Sequence, residues 1–470
     1  MKSGFSLLIL FLGIVFIIAG ALILFKFQGD DFLSLYLIFI LGCAIILNIF
    51  IHSLKREFDI FEPVLCFSFF YFYFLVLRPL YIILTGDNLF FNYFSVDKDY
   101  MLSAALYAVV GYFCFAVGYL VRSRGVLSFY NTVIPRIKSS DEINTKKLLF
   151  FCLVLSGTAI ATYVNFYIIN NPQINSEVET LRGSTAYIYE GLWLLVPVTV
   201  MFFAFRKKYL YFKLAFVISF TTSLYIYLGL HHRSRWFVLL VTLFVIYYLQ
   251  NYRRPNIFIL VPVGLFLVTA SVVTGVIRGI VRGILSGDIT LNTILNFKEQ
   301  LLLGSVTSLG GNTMFDTFVL YIQKIPEKLN FLFGLGLLQI LVQPIPSVLW
   351  KAKPLLQNTY FMKMVLPESY EGGQNLPPTI LGDFYMNFGS VGIVICMFLL
   401  GVFVRGTYLW FKNNERGILP QFIYAFVLTM IIFLPIGQIT QWIVQLLILI
   451  LPTIFVLEMS KRKHGNKSIL

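Results

Sequence analysis

The chain has 470 residues, 58% hydrophobic and only 12% charged, with a formal charge of +14. That balance excludes a soluble globular enzyme and describes a chain that crosses a membrane many times. A basic excess of this size would suit nucleic acid, but its distribution along the chain assigns it to membrane topology instead.

A span needs about 20 apolar residues. The first such window, 5–25, follows the single Lys2 and is too long for a signal-peptide core; Gly20-Ala21-Leu22 is a poor cleavage site, so the window reads as a retained helix. Further spans are expected at 33–52, 63–84, 101–121, 148–168, 187–205, 212–230, 237–250, 256–277, 379–404, 419–436 and 440–457, twelve in all. The chain then divides into spans one to nine (1–277), a long external segment (278–378) and spans ten to twelve with a tail (379–470).

Alternate loops differ in charge. The amino terminus, 53–62, 122–147, 206–211 with Lys213, 251–255, 405–418 and the carboxyl tail hold 22 of the 36 Lys and Arg residues; the other set holds 13, and Arg78 lies within the third span. Positive loops stay inside, so both termini are expected in the cytoplasm, and an even number of spans agrees. No cytoplasmic loop is long enough for a nucleotide-binding domain and no GxxxxGK motif occurs, so the chemistry is expected at the outer face without ATP. The apolar stretches 315–325 and 331–342, flanked by prolines, read as short helices at the outer interface.

Five cysteines stand singly in apolar runs, with no CxxC pair and no Cys/His cluster, so neither disulfides nor a zinc site is implied. Asp30-Asp31 and Asp97-Lys98-Asp99 have the form of metal-binding acidic pairs, but read more simply as solvated loop ends. No Mg²⁺ or Mn²⁺ and no other cofactor is expected.

The external arginines carry the chemical signal. His231-His232-Arg233-Ser234-Arg235-Trp236 joins two apolar runs at the outer surface, where the charge rule disfavours arginine. Arg182 lies in another short outer loop, and Arg278 and Arg282 share one face where span nine emerges. A single arginine of this kind usually snorkels to headgroups. Five of them around one long loop point to an anion site, because guanidinium forks bind phosphate in a bidentate manner. His231 and His232 are further donors or proton acceptors. Asp383, at the outer start of span ten, is the candidate general base, with an ordinary first-turn carboxylate as the equal alternative; Asp316, Glu368 and Glu371 are other carboxylates of the external segment. Trp350, Tyr360, Tyr370 and Tyr385 offer aromatic faces to sugar rings, though interfacial belts look the same.

Pro377-Pro378-Thr379-Ile380-Leu381-Gly382-Asp383-Phe384-Tyr385-Met386-Asn387-Phe388-Gly389 resembles the corresponding run of bacterial Wzy-type oligosaccharide repeat-unit polymerases. Ser234-Arg235 is similar to their hydroxyl–arginine step, and Pro346-Ser347-Val348-Leu349-Trp350 followed by Lys353-Pro354 resembles the enterobacterial common antigen branch. The resemblance implies a metal-independent membrane glycosyltransferase of GT-C type in the bacterial inner membrane. Its substrates would be undecaprenyl-diphosphate-linked oligosaccharides, donor and acceptor alike, with a chain-length regulator protein as a further partner. Arg235, Arg278, Arg282 and Asp383 would be catalytic, and Arg182, His231, His232, Arg233, Asp316, Lys353, Tyr385 and Asn387 would bind substrate. An O-antigen ligase and a lipid-linked oligosaccharide flippase are the alternatives; the flippase needs a charged path through the spans, where Arg78 is nearly alone.

Overall fold

The computed structural model describes residues 2–24, 30–54, 58–86, 97–121, 123–134, 143–165, 190–229, 233–256, 314–342, 353–371 and 376–462, with a few isolated residues between them. Apart from a pairing of two-residue strands, Leu89–Phe90 with Phe94–Ser95, the described elements are helices. Eight are long and apolar enough to cross a membrane, and three shorter apolar helices, Ser6–Ala21, Gly191–Phe205 and Ser234–Gln250, accompany them. These eleven coincide with eleven of the twelve expected spans. The remaining one, 256–277, lies largely outside the described residues.

The first helices are α1 (Lys2–Leu24), α2 (Asp30–Leu54) and α3 (Pro63–Phe72). A π-helical turn, Tyr73–Leu77, carries α3 into α4 (Arg78–Thr85). Pro79 accounts for the widened turn: it has no N–H to donate to the preceding turn, and its ring crowds the carbonyl there. Next come α5 (Lys98–Leu120), the short amphipathic α6 (Arg124–Val133) and α7 (Thr145–Tyr163). A 3₁₀ turn, Gly191–Leu194, opens α8 (Leu195–Phe205), followed by α9 (Leu210–Gly229) and α10 (Arg233–Gln250). The 278–378 segment contributes α11 (Met314–Lys324), α12 (Leu335–Val342), α13 (Gln357–Val365) and α14 (Pro367–Glu371). The last spans are α15 (Ile380–Asn413), α16 (Ile418–Phe433) and α17 (Ile439–Met459). The side chains of α16 are buried along almost its whole length, which makes it the central helix.

The two ends of the bundle differ in chemistry. At one end Arg254 donates to Asp59 at 2.7 Å and to Glu415 at 2.9 Å, Lys412 reaches Asp59 at 3.0 Å, and Arg405 reaches Glu62 at 3.3 Å. Lys207 donates to Asn251, and Asn144 N–H to Ser460 O, at the same end. These are the loops that hold the basic excess, so alternation along the chain is reproduced in space. The opposite end holds the described part of the 278–378 segment.

Its helix α11 is sunk into the bundle. Every residue from Met314 to Ile322 on α11 is buried. Arg78 and Asp316 form a bidentate ion pair, with Nε to Oδ2 at 3.0 Å and Nη2 to Oδ1 at 3.0 Å, that ties α11 to α4. Near the other end of α11, Gln323 donates to Asp97, whose second oxygen caps α5. The Asp97 pair is thus a helix cap.

Span ten departs from the expected straight helix. Gly389 has φ 65° and ψ −151°, a conformation essentially reserved for glycine, and it breaks α15 in two. Leu381 and Ile393 both lie against Gly111 near the middle of α5; in a straight helix they would stand about 18 Å apart. Tyr385 stacks near Tyr107, one turn earlier on α5, and Phe398 lies against Gly118, further on. The stretch 380–388 therefore rises from the middle of the bundle to Gly389, where the chain turns and descends as a full span. The motif around Asp383 forms a re-entrant helix.

Candidate functional site

The re-entrant helix starts where Pro377 and Pro378 give way to Thr379, whose hydroxyl accepts from Gly382 N–H at 3.0 Å. Asp383 sits in this first turn and is completely buried. Its Oδ2 accepts from Ile439 N–H, at the start of α17, at 2.8 Å, and its Oδ1 lies 3.5 Å from the Asn387 amide. Asn387 donates to the Asp383 carbonyl at 2.9 Å and to Gln357 Oε1 at 3.0 Å, and Gln357 in turn donates to the Asp383 carbonyl. α12 can approach this cluster because Gly336 has no side chain; a Cβ there would overlap Gln357 and Asn387. Tyr385 is buried between Tyr107 and Phe331, and its hydroxyl reaches Ile325 O. Asp383, Tyr385 and Asn387 are thus brought together. In this geometry both Asp383 oxygens face protein donors, so the carboxylate locks the re-entrant helix to α17.

Arg235 stands on the far side of the Leu434–Gln438 turn. Asp383 holds Ile439 after that turn, while Phe237, two residues from Arg235, packs edge-on against Phe433 before it. Arg235 is 2% exposed, which removes it from the lipid and headgroup region and rules out snorkelling. Its guanidinium lies over the Trp193 ring at 5.4 Å, and Nη2 is 3.9 Å from Glu190 Oε2. Tyr227 lines the same region and fixes the 3₁₀ turn by donating to Leu192 O.

Asp316 is occupied by Arg78 and belongs to the wall that supports the re-entrant helix; Tyr321, on the same helix, packs against Gly382. Lys353 donates to Ile345 O. Glu368 is exposed on α14. Arg182, His231, His232, Arg278 and Arg282 lie outside the described residues, as does the side chain of Arg233. Among the described residues no group of three or more His, Cys, Asp or Glu side chains is arranged to hold a metal ion.

Three participants escaped the sequence reading. Glu190 and Trp193 were hidden in the first turns of an ordinary apolar span; an acid at the start of such a span was the available signal. Gln357 had none, since its partners lie on α15.

A family model for the O-antigen polysaccharide polymerase Wzy matches residues 5–467, nearly the whole chain. No curated protein and no solved structure matches it. With its helical membrane architecture, its motif around Asp383 and this match in agreement, the chain belongs to the O-antigen polysaccharide polymerase family Wzy.

Proposed function

We propose that the protein polymerises undecaprenyl-diphosphate-linked oligosaccharide repeat units at the periplasmic face of the inner membrane. The growing glycan is transferred from its lipid diphosphate to the non-reducing sugar of a new lipid-linked unit. Twelve spans of GT-C type with both termini cytoplasmic belong to the same reading. The observation that carries it is Arg235: a buried guanidinium, seated on Trp193 at the end of the bundle where the charge rule disfavours arginine.

Breaking the sugar–phosphate bond leaves new charge on a diphosphate. A guanidinium already oriented, in a site with little water, stabilises that charge without reorganising during the reaction. Two forked N–H donors match two phosphate oxygens, and lysine cannot reproduce that geometry. Arginines in this role take over the electrostatic work of a metal ion, which is the basis for proposing metal-independent transfer. Arg278 and Arg282 are proposed to join Arg235 at the donor diphosphate, with Arg182 and Arg233 at the acceptor.

The test is a strain whose chromosomal copy carries Arg235→Lys. Its surface lipopolysaccharide should carry single repeat units with no ladder, at normal expression. A full ladder would remove Arg235 from the donor site.

A further inference from the structure

The stretch 121–140 carries Arg122, Arg124, Arg136 and Lys138 and no acidic residue. Part of it folds as α6, a ten-residue helix with three different faces. One face is taken by α15. Tyr130 is buried there, with its hydroxyl 3.0 Å from Thr407 Oγ1 and its ring stacked on Trp410 at 4.8 Å. Val126 lies against Gly406, where a Cβ would overlap it. A second flank is apolar yet open: Phe129 and Val133, one turn apart, are 58% and 57% exposed. The third face is polar and open, with Arg124, Ser128, Asn131 and Thr132. The partners of α6 set its level. Gly406, Thr407 and Trp410 lie between Arg405 and Lys412, which reach Glu62 and Asp59 in the ionic layer. Charge is costly at hydrocarbon depth, so this layer marks where acyl chains give way to headgroups. Leu120 and Val121, both exposed at the end of α5, lead directly into α6.

An open apolar flank at that level, in a stretch with basic residues and no acid, matches an anionic lipid surface in both hydropathy and charge. We propose that α6 lies in the membrane plane and docks on anionic phospholipid, with Phe129 and Val133 among the acyl chains and Arg124 among the phosphates. It thereby holds the Gly406–Trp410 end of α15 at headgroup level. The apolar flank supplies the burial that seats an interfacial helix. The long arginine stem lets the guanidinium lie at the phosphates while the helix body sits deeper. Each basic residue near an anionic leaflet adds about fivefold to the attraction. The leaflet is the cytoplasmic one under the topology proposed above. An outside signal from a reporter fusion after Ser140 would move α6 to the other leaflet and leave the docking itself unchanged.

The experiment uses full-length protein in bilayer discs of equal parts phosphatidylcholine and phosphatidylglycerol, with bromine on the tails of one lipid or the other. Phe129→Trp places a fluorophore on the apolar flank, and the wild-type emission is subtracted to remove the native tryptophans. The added emission should be quenched by both brominated lipids, and more strongly when phosphatidylglycerol carries the bromine. Arg124→Gln in the same background should lower that preference by about fivefold. Val133→Trp repeats the measurement on the same flank if the first variant folds poorly, and Asn131→Trp, on the polar face, should be quenched far less. If neither Phe129→Trp nor Val133→Trp is quenched by either lipid, a protein surface or a second copy covers the flank and the proposal is overturned. Equal quenching by the two lipids, or a preference that survives Arg124→Gln, would reduce α6 to ordinary lipid contact and overturn the anionic docking.

Discussion

At the scale of single residues, Asp383 and Arg235 carry different expectations. Asp383 accepts the N–H of Ile439 and lies beside the Asn387 amide, so its removal should be felt as lost stability. Asp383→Ala would leave a buried N–H unsatisfied, at about 1–3 kcal/mol, and should lower the melting temperature of the purified protein. Asp383→Asn keeps one carbonyl oxygen for Ile439 and should melt close to wild type. Equal melting of Asp383→Ala and wild type would mean that this hydrogen bond does not hold α17. For Arg235 the expectation is kinetic. Loss of one oriented donor typically lowers the rate by about 10²–10³-fold, with folding unaffected in the lysine variant.

At the scale of elements, the re-entrant helix depends on Gly389 and on the wall formed by α11. A side chain at Gly389 is strained by about 1–3 kcal/mol at its positive φ. Gly389→Ala should therefore lower both thermal stability and chain growth, whereas Gly157→Ala, with open space around it, should change neither. The Arg78–Asp316 pair follows the rule for buried ions: deleting one partner strands a charge at about 3–5 kcal/mol, and replacing both with apolar residues restores much of the loss. A double variant, Arg78→Met with Asp316→Leu, that melts no higher than either single variant would show that the pair does more than neutralise itself. These features mark the limit of what could be read in the sequence. Hydropathy revealed the spans, because twenty apolar residues can do little else, and prolines marked the short helices at Met314–Lys324 and Leu335–Val342. The turn at Gly389 was invisible, since helix-forming apolar residues run on both sides of it and glycine is common in membrane helices. The Arg235–Glu190 and Arg78–Asp316 pairs were equally hidden, because each joins segments far apart in the chain and no local pattern encodes a tertiary contact.

At the scale of the whole molecule, Asp59, Glu62, Arg254, Arg405, Lys412 and Glu415 meet in one ionic layer, and the buried α11 lies toward the opposite end. Reporter fusions after Ser140 should read inside, and after Asn330 outside; an inside signal at Asn330 would put the re-entrant helix on the wrong face. The ionic layer also sets a pH dependence. Burial raises the Asp59 carboxyl, but Arg254 and Lys412 outweigh it and hold it below the usual carboxylate range. A lowered folded-state value means that this stabilisation is complete above the ordinary carboxylate pKa of about 3.9 and is lost as pH falls through the lowered value. Melting temperature should therefore hold between about pH 7 and 5 and drop below about 4, with a smaller drop in Asp59→Asn. An equal drop in that variant would assign acid sensitivity to other groups.

The central claim is that this single chain joins lipid-linked repeat units by arginine-assisted transfer. It is tested most directly by giving purified protein, in liposomes with excess EDTA, only lipid-linked single repeat units, and resolving the products by length. A ladder of lipid-linked oligomers is expected. Single units left unextended in EDTA but extended on adding Mg²⁺ or Mn²⁺, or extended only when a lipopolysaccharide core is supplied as acceptor, would contradict it.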